Sequence, residues 1–190
     1  GGTSIMAGTL KVGGNTIATH TGVEGAGTVS ANNVSLGNNV KFPAGHLLQV
    51  KIASRAYGDG ISHGSTNYID INSITLTPVA TNSKFLLIGS FSIYRNSSVA
   101  TATGTGFVRN VNGGSFVELG RRGTGNGYNI YSQDSFNGTR THFVTRTVLD
   151  DPTYTAGQVL IYKTQQNSSE STSQTLGRDT ELVVMEISGS

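Results

Sequence analysis

The chain of 190 residues contains no cysteine. No disulfide can staple it and no thiolate can hold a metal. A durable extracellular particle built from it needs another source of stability, and oligomerisation is the obvious one. Charge is sparse: 13% of the residues are Asp, Glu, Lys or Arg, against roughly 25% in ordinary globular chains. The 13 basic and 11 acidic residues leave a net charge of +2 and are scattered, so neither nucleic acid nor an anionic membrane is an expected partner. There are 3 prolines, Pro43, Pro78 and Pro152, all in turn-like stretches, as a sheet requires. No apolar run approaches the roughly 20 residues of a membrane helix. No charged n-region with an apolar h-region marks a signal peptide, and membrane insertion is not expected.

Glycine, serine, threonine and asparagine fill the gap left by a 35% hydrophobic content, with 26 glycines. These residues offer the backbone local hydrogen bonds that compete with helix, and they suit strands joined by many turns. Isoleucine, valine, leucine and phenylalanine recur in periodic clusters, which disordered chains avoid. The length allows one domain of good size plus an appendage.

Met6-Ala7-Gly8 has the look of a natural start, which makes residues 1–5 an expected cloning remnant. From 6 to 45 apolar residues come singly between Gly and Asn, as in TLKV and VSLGNNVKF. One copy buries little there, whereas three copies wound about an axis could each turn an apolar side to the other two. The expectation is an extended N-terminal stem or attachment segment, ending at Pro43-Ala44-Gly45. A globular domain follows over 46–188, with 46–52 as its first strand and 53–67 as a long polar loop of the kind that often carries function.

Tyr68 to Tyr94 is the organising stretch, two strands around the turn Pro78 to Ser83. Ile69 and Ile71 share one parity, Ile74 and Leu76 the other, so a bulge near Asn72-Ser73 is needed to turn all four to the core. In Lys84 to Tyr94, Phe85, Leu87, Phe91 and Ile93 line one face, Leu86 and Ile88 the other. Both faces must then be covered, one by the opposing sheet and the other most simply by a neighbouring subunit. A polar loop is expected over 95–105. Asn112-Gly113-Gly114 is the strongest hairpin signal. Residues 120–129 are Gly-rich, Ile130 to Phe136 is a short strand, and Thr141 to Leu149 a longer one ended by Asp150-Asp151-Pro152. Gln158 to Thr164 reads as a central strand and 165–177 as a polar loop or loose edge. Glu181 to Ile187 closes the domain, with Val183, Met185 and Ile187 expected inward. Eight to ten strands, no helix and no fixed repeat suit an all-β antiparallel β-sandwich of jelly-roll type.

VKFPAGHLLQV, SITLTPVATNSKFLLIGSFSI, TVLDDPTYTAGQVLIYKTQ and the closing ELVVMEI stand in this order over about residues 38–187. Together they resemble the distal domains of bacteriophage tail-fibre and small virion-appendage proteins. The resemblance implies a homotrimer with a TNF/C1q-type trimeric head on a slender stem. It implies a place on the virion, contact with other virion proteins through the N-terminal segment, and attachment to a host surface polysaccharide or protein. A head-fibre or capsid decoration role and a glycan depolymerase are the alternatives.

Chemistry is thin. Asp150 and Asp151 fit a turn, where Asp accepts backbone N–H bonds, and catalysis needs a second acid across a cleft. His20, His46, His63 and His142 form no HxH or HxxxH pair. On a three-fold axis one His per chain would supply three ligands, with His46 as the candidate. No nucleophile elbow and no phosphate-loop GK[ST] is present. No enzyme activity and no cofactor is therefore expected. Surface aromatics and arginines carry the binding case. Tyr57, Asp59 and His63 lie in one loop; Arg121, Arg122, Asn126, Tyr128, Tyr131 and Gln133 lie in or beyond the other. Tyrosine stacks on sugar faces, and Arg pairs with carboxylates or phosphates.

Overall fold

The computed structural model describes residues 8–12, 15–20, 44–95, 101–119, 130–132, 140–168 and 174–189, with 8–12, 15–20, 130–132 and a few other strand residues as backbone alone. The chain divides into two units, Gly1–Val40 and Lys41–Ser190. In the first, β1 (Gly8–Val12) and β2 (Asn15–His20) pair antiparallel, with a register shift between Leu10 and Lys11. The remainder of the expected stem, 21–43, lies outside the described residues.

The second unit carries β3 (Leu47–Arg55), β4 (Ile61–His63), β5 (Ile69–Leu76), β6 (Lys84–Arg95), β7 (Thr101–Val111) and β8 (Val117–Leu119). It continues with β9 (Ile130–Ser132), β10 (Arg140–Asp150), β11 (Leu160–Ser168), β12 (Gln174–Leu176) and β13 (Thr180–Ile187). The only helical element among the described residues is a 3-10 turn at Tyr57–Asp59. All pairings are antiparallel.

In the first sheet, β6 pairs along one edge with β10. Along the other it pairs with β13 and then β12, and beyond these lie β3 and β4. The second sheet runs β5–β11–β7, with β8 and β9 sharing the far edge of β7. Phe85, Leu87 and Phe91 of β6 and Leu182 and Val184 of β13 meet Ile74, Leu76, Phe107, Leu160 and Tyr162 of the other sheet in one core. The two sheets thus pack as a sandwich. Phe91 and Phe107 touch edge to face across the core, with ring centroids 5.7 Å apart. Gly89 is buried beneath that contact: a Cβ there would stand 2.7 Å from the Phe107 ring. Only glycine lets the ring lie on the β6 backbone.

The expected hairpin is present. Asn112 (φ 49) and Gly113 (φ 79) take left-handed conformations, and Gly114 N donates to Val111 O at 3.0 Å. Positive φ at both central positions is the type I′ pattern that matches strand twist. The bulge is also present, one residue earlier than expected. Asn72 pairs with Thr164 and Asp70 with Gln165, leaving Ile71 as the extra residue. Ile71, Ile74 and Leu76 are buried as a result, while Ile69 packs partly buried in a small second cluster with Ile71 and Leu176.

Other expectations are corrected. The segments 53–67, 95–105 and 165–177 contain regular structure: β3 extends to Arg55, β4 follows, β7 begins at Thr101, β11 runs to Ser168, and β12 covers Gln174–Leu176. Their polar composition reflects an interior that changes character along the strands. Thr103, Thr105, Thr164, Gln166, Asn167 and Thr180 are buried. Gln166 Nε2 donates to Ser92 O at 3.2 Å, and Asn167 Oδ1 accepts Gly104 N at 2.8 Å. Polar side chains can be buried when such partners exist.

The facing of β13 is also reversed from expectation. Leu182, Val184 and Glu186 point inward, and Val183, Met185 and Ile187 lie on the outer face, only partly covered. Glu186 is fully buried because donors surround it. Its carboxylate accepts Val79 N at 2.9 Å, Ala80 N at 3.1 Å, the Ser83 hydroxyl at 2.5 Å and Gln49 Nε2 at 2.5 Å. A carboxylate so surrounded is tolerated inside a protein, and here it fastens the turn between β5 and β6.

Candidate functional site

Two features of the first sheet stand out, one at each end. The first is a paired interruption. Between β12 and β13 the chain passes through Gly177-Arg178-Asp179, with φ +75 at Gly177 and φ 46 at Asp179. A left-handed non-glycine residue is uncommon and marks a backbone held by its surroundings. Gly177 N donates to Ser92 O at 3.2 Å, Thr180 Oγ1 donates to Gly177 O at 3.2 Å, and the Ser92 hydroxyl donates to Arg178 O.

Alongside, β3 and β4 are interrupted at 56–60, which holds the 3-10 turn. Arg55 fixes that turn. Its Nη1 donates to Asp59 O at 2.7 Å, and its Nη2 donates to Ile71 O at 3.0 Å. Gly60 is required here because a Cβ would stand 2.7 Å from Arg178 Cγ and overlap the Thr175 methyl. The two interruptions together bring Arg178 against two tyrosines. Its Cζ lies 4.7 Å from the Tyr57 ring centroid and 4.2 Å from that of Tyr94. Such contacts contribute about 0.5–1 kcal/mol each when exposed. Tyr57 remains 55% exposed. Among the described residues Arg178 Nε is buried without a hydrogen-bond partner, and no carboxylate pairs with the guanidinium. A pocket of about 350 Å³ opens beside this turn, lined by Ala56, Ser90, Asp179 and Glu181 among others.

The second feature is apolar. Two cross-strand rows run over the outer face: Val50, Met185, Leu86 and Leu149, and beside them Ile52, Val183 and Ile88. Ile52 is 64%, Leu149 57% and Val50 41% exposed. Three strand spacings make the longer row about 14 Å across. Exposed apolar residues that adjoin in this way are unusual on a single chain left in water.

The expected binding residues divide. Tyr57 and Asp59 lie on the 3-10 turn at the interruption. His63 is on β4, where its Nε2 lies 2.8 Å from Asn67 O and holds its own loop. Tyr131 is on β9, described there as backbone alone. Arg121, Arg122, Asn126, Tyr128 and Gln133 lie outside the described residues. Arg178 and Tyr94 were not singled out in the sequence. They are 84 residues apart, and the only local hint was Gly177 in a polar stretch.

The titratable candidates resolve as follows. Asp150 is not a turn residue but the buried end of β10, where it accepts from Tyr162 Oη at 2.8 Å and Arg109 Nη1 at 2.6 Å. Asp151 is exposed and lies 3.4 Å from Lys84 Nζ. Burial and the Asp150 charge push the Tyr162 phenol far above its ordinary value. Burial pushes the Asp70 carboxyl up, but the hydrogen bonds from Lys163 and Gln165 outweigh it and hold the group below its usual value. His46 is exposed, with its carbonyl accepting Ser188 N at 2.7 Å. Among the described residues no group of three His, Cys, Asp or Glu side chains could hold a metal. Comparison with protein-family models and with curated proteins finds no match to this chain.

Proposed function

We propose that this chain is the subunit of a bacteriophage tail fibre or similar virion appendage, a homotrimer whose role is attachment to a host cell surface. The observation that carries this reading is the pair of apolar rows on the outer face of the first sheet. Residues such as Ile52 and Leu149 stand largely in solvent in one chain. A second and third copy packed on this face would remove them from water, at about 25 cal/mol per Å² of apolar surface. A chain without cysteine has particular need of that source of stability.

Strand order supports the same reading. With each interrupted strand counted as one, β4/β3, β12/β13, β6 and β10 face β5, β11, β7 and β8/β9. Four strands facing four in this order suit an eight-stranded jelly roll, the tip expected of a TNF/C1q-type trimeric head. The N-terminal unit is assigned to contact with other virion proteins, and host polysaccharide or protein is assigned to the loop end of the sandwich. The activity is binding, strengthened by three linked copies rather than by a tight single site.

Native mass measurement tests the assembly, with a trimer at micromolar concentration as the expected result and a monomer as the overturning one. Adsorption of the labelled protein to host cells tests the attachment role.

A further inference from the structure

We propose that the Tyr57–Arg178–Tyr94 cluster is a binding site for a carboxylate-bearing sugar, a uronic-acid-type unit of a surface polysaccharide. The proposal rests on the attachment reading and names the ligand class for it. It joins two candidates of the sequence, Tyr57 and Asp59, to Arg178 and Tyr94, which the sequence did not single out, on a break in the first sheet.

The chemistry follows from what the cluster holds and what it leaves open. The Arg178 guanidinium lies against two rings, which fixes its orientation and limits its hydration. No described residue pairs with its charge, although Asp59 and Asp179 stand on the two adjoining breaks. An oriented guanidinium without a carboxylate partner is the group best suited to take one from a ligand, through two parallel N–H bonds. The exposed Tyr57 ring offers an apolar face for the C–H surface of a sugar and a hydroxyl at its rim. Asp59 and Asp179 are acceptors suited to sugar hydroxyls, and they repel ligands that carry charge on every unit face. The arrangement thus favours a hydroxyl-rich ring bearing one carboxylate over a polyphosphate.

Position agrees with this use. Tyr94 is six residues beyond Ile88 on the same face of β6, about 20 Å along the strand. The site therefore lies past the apolar rows and stays open when copies pack on them. The backbone agrees with it: Gly60 leaves the space that the Arg178 stem fills, and the left-handed Gly177 and Asp179 turn the chain on either side of that arginine.

The test is a glycan array carrying carboxylated, phosphorylated and neutral saccharides, probed with the full chain and with R178Q and Y57A. The expected result is that hits concentrate on carboxylated members, and that each substitution lowers their signal at least tenfold with the circular dichroism spectrum kept and the melting temperature lowered by no more than a few degrees. Hits spread over neutral or phosphorylated members, no hits, or carboxylated hits that survive R178Q overturn the proposal. Adsorption to host cells separates the two levels. Wild-type and R178Q proteins that adsorb equally remove this site and leave attachment standing. A wild-type protein that fails to adsorb removes the attachment reading, while the array still decides the sugar site.

Discussion

Tyr162 on β11 donates its hydroxyl to Asp150 on β10 at 2.8 Å, joining the two sheets through a bond buried at the edge of the core. Arg109 of β7 reaches the other carboxylate oxygen at 2.6 Å, so three strands meet at one acid. Tyr162→Phe removes one bond to a charged acceptor, and the expected loss is about 1.5–3 kcal/mol. The phenol is held above its ordinary value, so its contribution is complete below about pH 10 and is lost as pH rises past that. Chemical denaturation on either side of that pH checks both parts: Tyr162→Phe should be destabilised at neutral pH and should lose less stability than the wild type on going alkaline.

Glu186 gathers the turn between β5 and β6 onto β13. Glu186→Ala leaves Val79 N, Ala80 N and Ser83 without their acceptor and opens a void. A loss of about 3 kcal/mol or more is expected, since each buried donor left unmade costs about 1–3 kcal/mol. Glu186→Gln keeps the volume but presents an amide to several donors, and should fall between Ala and wild type. Thermal unfolding reads both, and an Ala variant within a degree of wild type would refute the role of this carboxylate.

Gly89→Ala drives a methyl into the Phe107 ring. Overpacking of this kind costs about 1–3 kcal/mol. Pairing it with Phe107→Leu should recover part of the loss, because the clash is with the ring and not with backbone. A double-mutant cycle measures that coupling.

Charge placed in the apolar rows should dissolve the proposed trimer and spare the fold. Ile52→Glu and Val183→Lys each put an ion on the outer face, where it is solvated in a monomer and desolvated in an interface. The expected outcome is a shift from trimer to monomer by native mass measurement, with the circular dichroism spectrum kept. Both variants remaining trimeric would place the interface elsewhere.

The fold class was legible because strand alternation and turn chemistry are local. Asn112-Gly113 specifies its hairpin with two residues, and the parity change between Ile71 and Ile74 announced a bulge. The facing of β13 was not legible. Val183, Met185 and Ile187 are as apolar as Leu182 and Val184, and the choice between them turned on Glu186. Its burial depends on donors more than 100 residues earlier in the chain. The polar strands were missed for a related reason. Thr103, Gln166 and Asn167 resemble a loop until their hydrogen-bond partners are known. Half of the candidate site shares this origin: Tyr57 and Asp59 could be picked by type, whereas Arg178 and Tyr94 become neighbours only through the register of β12 on β6.

The paired interruptions at 56–60 and 177–179 also bear on how such a protein can change. Inserting one residue into a continuous strand shifts every side chain beyond it to the wrong face. At these two places the ladder is already open, and residues added at the exposed Tyr57–Asp59 turn, away from the tightly packed Gly60 and Gly177, cost mainly closure entropy, about 0.6 kcal/mol per doubling of a loop. The sheet is in effect divided into a half that must be kept and a half that can be rewritten. Under the proposed attachment role, a lineage under pressure to recognise a new surface could lengthen the exposed part of these segments and leave the apolar rows unaltered, and a designer seeking to retarget the protein would begin there.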